Sequence, residues 1–228
     1  MPVRQSKFMS RISHFSHTKR GVTVMTVLGA LMLLLSFGLP YWNLDLKAPQ
    51  YPKGLHLSIY MDHVSGDVSE VNLLNHYIGM AHLDSAAQLE RRFAWSGLLI
   101  LVIGAMLVIP VGKKVYKIFY LPPILFLLSF VGDLFYWLYR AGHTLNPEAP
   151  VHIKAFTPML LGSGKIGQFE TFAMFGSGFW IAVLGTFIIF YAIGRKKRIC
   201  EGCVDFKNCS MVCNRKTSWL HAPKQELK

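Results

Sequence analysis

GVTVMTVLGALMLLLSFGLP, residues 21–40, decides the fold class expected of this chain. It carries no charged side chain, and roughly 20 apolar residues are what a helix needs to cross a bilayer. The apolar stretch is longer than the core of a secretory signal, and no small-residue cleavage pattern follows it. Tyr41 and Trp42 stand where interfacial aromatics belong. The run therefore reads as an uncleaved membrane helix.

Working outward, three more such runs occur at 94–112, 118–139 and 171–193. The chain has 228 residues, 52% of them hydrophobic, and its mean hydropathy of +0.35 is high for a soluble protein. The expected fold class is an all-α integral membrane protein: four transmembrane helices with a small extracytoplasmic cap made of a short strand and a helix. The expected segments are a basic N-terminus (1–20), the first span (21–40), an outer segment (41–93) and the second span (94–112). A turn (113–117), the third span (118–139), an outer loop (140–170), the fourth span (171–193) and a cysteine-rich tail (194–228) follow. Pro122 and Pro123 fall in the first turns of the third span, where proline is tolerated. Gly176, Gly178 and Gly185 would let the fourth span pack closely on a neighbour. Asp133 is the one ionisable side chain well inside a span, so it should face protein or water. A structural ion pair with Arg140 and a proton or metal relay are both open to it.

Charge sets the orientation. Lys and Arg number five in 1–20, three in 113–117 and nine in the tail, so 17 of the 24 lie in these three stretches. The two long polar segments hold the other seven, offset by eight acids. By the positive-inside rule both termini are cytoplasmic and segments 41–93 and 140–170 are external. A bacterial inner membrane is the expected location, with lipid as the surrounding partner. The formal charge of +12 is thus explained by topology, and no nucleic-acid-binding motif accompanies it.

In the first outer segment, residues 54–60 alternate Leu55, Leu57 and Ile59 with His56, Ser58 and Tyr60, which predicts a half-buried strand. Asp67 and Glu70 have capping-box spacing and predict a helix start. That helix leads into Asn75-His76-Tyr77-Ile78-Gly79-Met80-Ala81-His82. If it continues, His76 and Met80 project the same way; if Gly79 ends it, Met80 and His82 sit on a turn. Imidazole with thioether is a donor set suited to copper, Cu(I) above all. The expected outer site is His76, Met80 and His82, completed by His143 of the second outer segment, with His152 close in sequence. Asn75 and Tyr77 are expected to orient a ring, and Gly79 to let the backbone bend. The plainer reading is a helix-ending histidine, a core-filling methionine and solvated interfacial imidazoles.

The tail spaces its thiols as Cys200-x2-Cys203-x5-Cys209-x3-Cys213. In a reducing compartment four close thiols point to zinc or an iron–sulfur cluster. The gap of five and Asn214 after the last cysteine depart from ferredoxin spacing. Free thiols or palmitoylation are the alternatives.

The words YPKGLHLSIY, VNLLNHYIGM, FYWLYRAGHTLNPEAPVHIKAFTPMLLG and IGQF, spread over residues 51–175, form a set. The set resembles little-studied four-span membrane proteins associated with nitrous oxide reductase and other copper-enzyme gene clusters. Its distinctive positions fall here on Asn75, His76, Tyr77, Gly79 and Met80, and on Gly142, His143, Asn146, Pro147, Phe156, Pro158 and Gly162. The resemblance implies a role in copper supply or copper-enzyme maturation, with a copper enzyme or other protein as partner, and does not extend to the tail.

The expected function is membrane-bound metal handling, most simply of copper. The alternative is an accessory subunit of a membrane respiratory or monooxygenase complex whose tail holds a metal centre. A transporter fits less well, since one charge lies inside the spans and no repeat is visible. No Ser-His-Asp set, phosphate-binding loop or nucleotide fingerprint argues for independent catalysis.

Overall fold

A computed structural model describes residues 19–107, 121–166 and 168–201. Its elements, in order, are α1 (Lys19–Phe37), β1 (Trp42–Ala48), β2 (Tyr51–Ile59), β3 (Val64–Gly66), α2 (Val68–Ile78) and α3 (Gln88–Leu107). Then come α4 (Leu121–His143), β4 (Gly162–Ile166), β5 (Phe169–Phe175) and α5 (Ser177–Glu201). The 113–117 turn and most of both termini lie outside the described residues.

The all-α expectation is corrected. The five strands form one antiparallel sheet in the order β3-β2-β1-β5-β4, so the protein is mixed α/β. Among the described residues two helices, not four, are long and apolar enough to cross a bilayer: Leu121–His143 and Ser177–Arg195. The apolar part of α1, Gly21–Phe37, is shorter. α3 begins at Gln88, ahead of the apolar run, and so takes Glu90, Arg91 and Arg92 into its first turns.

β1 was hidden because Tyr41 and Trp42 read as interfacial aromatics closing a span, although Trp42, Leu44 and Leu46 alternate with Asn43, Asp45 and Lys47 along it. β5 was hidden differently. FETFAMF places Thr171 and Ala173 inward, but its outward side chains include Phe172 and Met174. A strand apolar on both faces reads as the start of the helix that follows it.

The sheet grows directly out of a helix pair. α1 feeds β1, β5 feeds α5, and β1 pairs with β5 from Trp42↔Phe175 to Lys47↔Glu170. Pairing continues past the strands: Gly176 N–H donates to the Tyr41 carbonyl at 2.9 Å and Gly178 N–H to that of Pro40 at 2.9 Å. A Cβ at Gly176 would run into the Pro40 carbonyl. Further along, a Cβ on Gly29 would stand 2.8 Å from the Gly185 carbonyl oxygen. Of the three glycines expected to allow close helix packing, Gly185 lies against α1, whereas Gly176 and Gly178 lie against the turn at Leu39 and Pro40.

Three apolar clusters tie these layers together. Leu33, Tyr41, Leu98, Ala182, Ile189 and Ile193 fill the space among the helices. Leu46, Leu55 and Leu57 of the sheet receive Val71 of α2. Trp42 and Ala173 receive Leu134 of α4. Trp42 is fully buried, and its indole N–H donates to the Leu160 carbonyl at 2.7 Å. The pairing avoids the cost of about 1–3 kcal/mol of an unmet buried donor.

Candidate functional site

The end of α2 builds the cap. Gly79 takes the left-handed conformation at φ +78°. Gly79 N–H reaches the His76 carbonyl and Met80 N–H the Asn75 carbonyl at 2.8 Å. This double closure is a Schellman motif. Of the two continuations open in the sequence, the helix therefore stops, and Met80 and His82 lie on the turn beyond it. His76 is exposed in the last turn and Met80 is half-buried. His82 is exposed and precedes a short 3₁₀ turn, Leu83–Ser85.

Of the two side chains expected to orient a ring, Tyr77 touches an imidazole and Asn75 turns to the backbone. Asn75 is buried, and its amide points to the Ala81 carbonyl at 3.4 Å. The Tyr77 ring meets His76 edge-on with centroids 6.2 Å apart. Asn72 and Arg91, which the sequence did not single out as site residues, hold the turn: Leu83 N–H donates to Asn72 Oδ1, and the Arg91 guanidinium donates to the Leu83 carbonyl, both at 2.8 Å. Asp67 is also diverted. It occupies the N-cap position but makes no side-chain cap bond, because its Oδ2 accepts the His56 N–H at 2.8 Å. The capping box is thus replaced by a link from α2 to β2.

The two polar segments meet through their backbones. Asn146 N–H donates to the Gly79 carbonyl at 2.8 Å and Val151 N–H to that of Tyr77 at 3.0 Å. A Cβ on Gly79 would approach the Asn146 carbonyl oxygen to 2.8 Å, so only glycine fits without a shift. Phe156 N–H donates to the Gly142 carbonyl at 3.1 Å, folding the loop back over the end of α4. The sequence words built around Gly79 and around Gly142 therefore form one assembly.

Four histidines of the cap have an oxygen partner on one ring nitrogen. His143 Nδ1 faces the Tyr139 carbonyl at 2.9 Å, and its ring stacks on Tyr139 at 3.9 Å. His152 Nε2 faces the Pro147 carbonyl at 3.0 Å. A carbonyl only accepts, so the bonded nitrogen carries the hydrogen. When neutral, the other nitrogen (Nε2 of His143, Nδ1 of His152) offers the lone pair a metal needs. His63 Nδ1 lies 2.6 Å from Asp62 Oδ1, with Tyr60 stacked on the ring. His56 Nδ1 lies 2.7 Å from Asp45 Oδ1. The Asp45 hydrogen bond raises the His56 pKa above its ordinary value, and Asp67 and the Lys53 carbonyl act the same way. When protonated, His56 has the Asp45 carboxylate as its ion-pair partner. The Asp45–His56 pairing was missed in the sequence because the two meet only through strand register.

Among the described residues no three His, Cys, Asp or Glu side chains are grouped to hold a metal. The cap instead offers separate imidazoles with Met80 on the adjoining turn. Cys200 falls in the last turn of α5, and Cys203, Cys209 and Cys213 lie outside the described residues. The Asp133–Arg140 ion pair, one of the two roles left open for Asp133, does not form. Arg140 reaches toward the Tyr136 hydroxyl at 3.5 Å and lies 5.2 Å from the Trp137 ring centroid, while Glu90 is a charged neighbour of Asp133.

The chain matches no protein-family model, no curated protein and no solved structure.

Proposed function

We propose that the protein is a membrane-bound metal-handling factor, with copper the most fitting cargo, that serves a copper enzyme. The carrying observation is the union of the His76–Met80 stretch with the loop that leaves α4 at His143 and carries His152, through the Gly79–Asn146 and Tyr77–Val151 backbone bonds. Neutral imidazole and thioether are soft and borderline donors that suit Cu(I). His143 supports the reading further, because its hydrogen bond and stacking select one tautomer and one orientation. In this proposal the cap is external, both termini are cytoplasmic, and a bacterial inner membrane surrounds the helices. His76, Met80, His82 and His143 are the proposed ligands, which the ion would have to draw together since they are not grouped in the structure, and Cys200, Cys203, Cys209 and Cys213 form a separate zinc or iron–sulfur centre.

The test is Cu(I) binding by purified protein in detergent, with the four tail cysteines replaced by serine. That background should bind copper, and His76→Ala and Met80→Ala should each weaken binding by about tenfold or more, as loss of one ligand predicts. A background that binds none, or variants that bind as well as it does, would move the function elsewhere.

A second reading, an accessory subunit of a respiratory or monooxygenase complex, draws on another surface. The sheet face away from α2 and α4 is open, and Phe172 and Met174 stand 44% and 42% exposed on it beside Asn43 and Asp45. An apolar pair rimmed by polar groups suits protein docking. Copurification of one stoichiometric partner, lost in Phe172→Asp, would favour this reading.

A further inference from the structure

Strand register lays out the outward face of the sheet in levels. The Tyr41–Gly176 bond joins the helix pair to β1 and β5, so Asn43 and Met174 form the level nearest the helices. Asp45 and Phe172 form the next, with His56 of β2 beside Asp45. Lys47 and Glu170 form the outermost, with Lys165 of β4 beside Glu170. Side chains alternate along a strand, so all of these share one face, and each is exposed or half-exposed.

Two features of this face call for a partner. Phe172 and Met174 are exposed, yet lipid does not suit them, because the Asp45–His56 ion pair lies at the level of Phe172. Lys47, Glu170 and Lys165 alternate in sign across one level. The ion pairs this part of the chain forms, His56–Asp45 and His63–Asp62, include none of the three.

In the membrane reading above, a second copy stands upright beside the first, so a two-fold axis relating them runs along the membrane normal. β1 and β5 continue the α1–α5 pair, so that axis also follows the strands. Equal levels of the two sheets then meet face to face, about 10 Å apart. The charges choose where the axis falls. With the axis over β5, Glu170 meets its own copy and Lys47 meets Lys165. With the axis between β1 and β5, Lys47 of each copy meets Glu170 of the other, and Phe172 lies over the other copy's Asp45–His56 pair. Opposite charges facing one another stabilise and like charges repel. Antiparallel pairing of two β4 edges is excluded, since its axis crosses the strands and would turn one copy upside down in the bilayer.

We propose that the outward sheet face is a self-docking surface. A second copy of the chain closes it about a two-fold axis between β1 and β5, with two reciprocal Lys47–Glu170 ion pairs above buried Phe172 and Met174. This dimer occupies the face of the second reading above, rests on the membrane orientation and is independent of copper.

The experiment is sedimentation equilibrium of the full chain in detergent, with the four tail cysteines replaced by serine so that no disulfide joins copies. This background should sediment as a monomer–dimer mixture set by its concentration in the detergent phase. F172S and K47E should each weaken the dimer by about tenfold. K154E, on the exposed loop after α4, should leave it unchanged. K47E/E170K restores both ion pairs with their signs exchanged and should recover the dimer. Melting temperatures are read alongside, and E170K takes the place of K47E if K47E does not fold. A monomer at every concentration, a dimer unmoved by F172S and K47E, or a double variant as weak as the single one would overturn the interface. Stoichiometric capture of a different protein by a monomeric chain, lost in F172S, would also overturn it, in favour of the subunit reading. Recovery of the chain from the soluble fraction without detergent would overturn the membrane reading itself, and is scored separately from the dimer.

Discussion

His56 and Gly79 show how single residues set the cap's behaviour. Because the Asp45 hydrogen bond raises the His56 pKa, the protonated ring is favoured in the folded chain. The stabilisation is fully present below the unfolded histidine value of about 6.5 and is lost as pH rises through the raised folded value. In Asp45→Asn the His56 pKa should fall, and the stability gap to wild type should be widest at low pH and close as pH rises. Titration of His56 by NMR, with thermal unfolding across the same range, checks both; an unmoved pKa would contradict the pairing. Gly79 acts through the backbone. Gly79→Ala puts a side chain into the left-handed region, at a cost of roughly 1–2 kcal/mol, and against the Asn146 backbone as well. Its melting temperature should drop clearly. In Gly97→Ala, where an added Cβ meets nothing within 4 Å, it should hold or rise slightly, since alanine favours a helix interior.

At the scale of elements, the helix pair and the sheet are one continuous object. The β1–β5 ladder runs into the Tyr41–Gly176 and Pro40–Gly178 bonds and then into the α1–α5 contact. Buried Tyr41 joins the two parts, with its hydroxyl 2.7 Å from that of Ser36. Separating the helices should therefore loosen the sheet. Gly29→Ala places a Cβ 2.7 Å from Ile189 Cγ1 and 2.8 Å from the Gly185 carbonyl oxygen, an overpacking expected to cost about 1–3 kcal/mol. Gly104→Ala on α3 meets nothing within 4 Å and should leave stability near wild type. Hydrogen exchange of β1 and β5 should quicken in the first variant and not in the second. Unchanged exchange in both would show that the sheet is stabilised independently of the helices.

For the whole molecule, the helix directions put both polar segments at one end and the charged ends of α1 and α5 at the other. If the cap is external, a cysteine at Ser65, in β3, should react with a membrane-impermeant maleimide on intact cells, and native Cys200 should not. Labelling of Cys200 in sealed cells would falsify that orientation. The tail is tested on the same preparation. Anaerobically purified protein should carry zinc or iron in near-equal amount to chain, and four titratable thiols with neither metal would exclude a centre there.

What the sequence determined by itself is local and periodic. Apolar length marked where four helices lie but overstated how many are long enough to cross a bilayer, the alternation at 54–60 marked β2, Asp67 marked the start of α2, and Gly79 marked a stop or a bend. These readings need only neighbours within a turn or two, and hydrophobic period carries them. What only the tertiary structure decided is non-local. β5 is a strand because β1 lies beside it, although its outward Phe172 and Met174 make it read as helix. Asp67 serves β2 instead of capping α2, since its carboxylate accepts the His56 N–H. The loop after His143 adjoins the His76 stretch because the Asn146 N–H finds the Gly79 carbonyl, a pairing 67 residues apart in the chain. Backbone hydrogen bonds bear no side-chain signature, so no composition or spacing announces which of them will close.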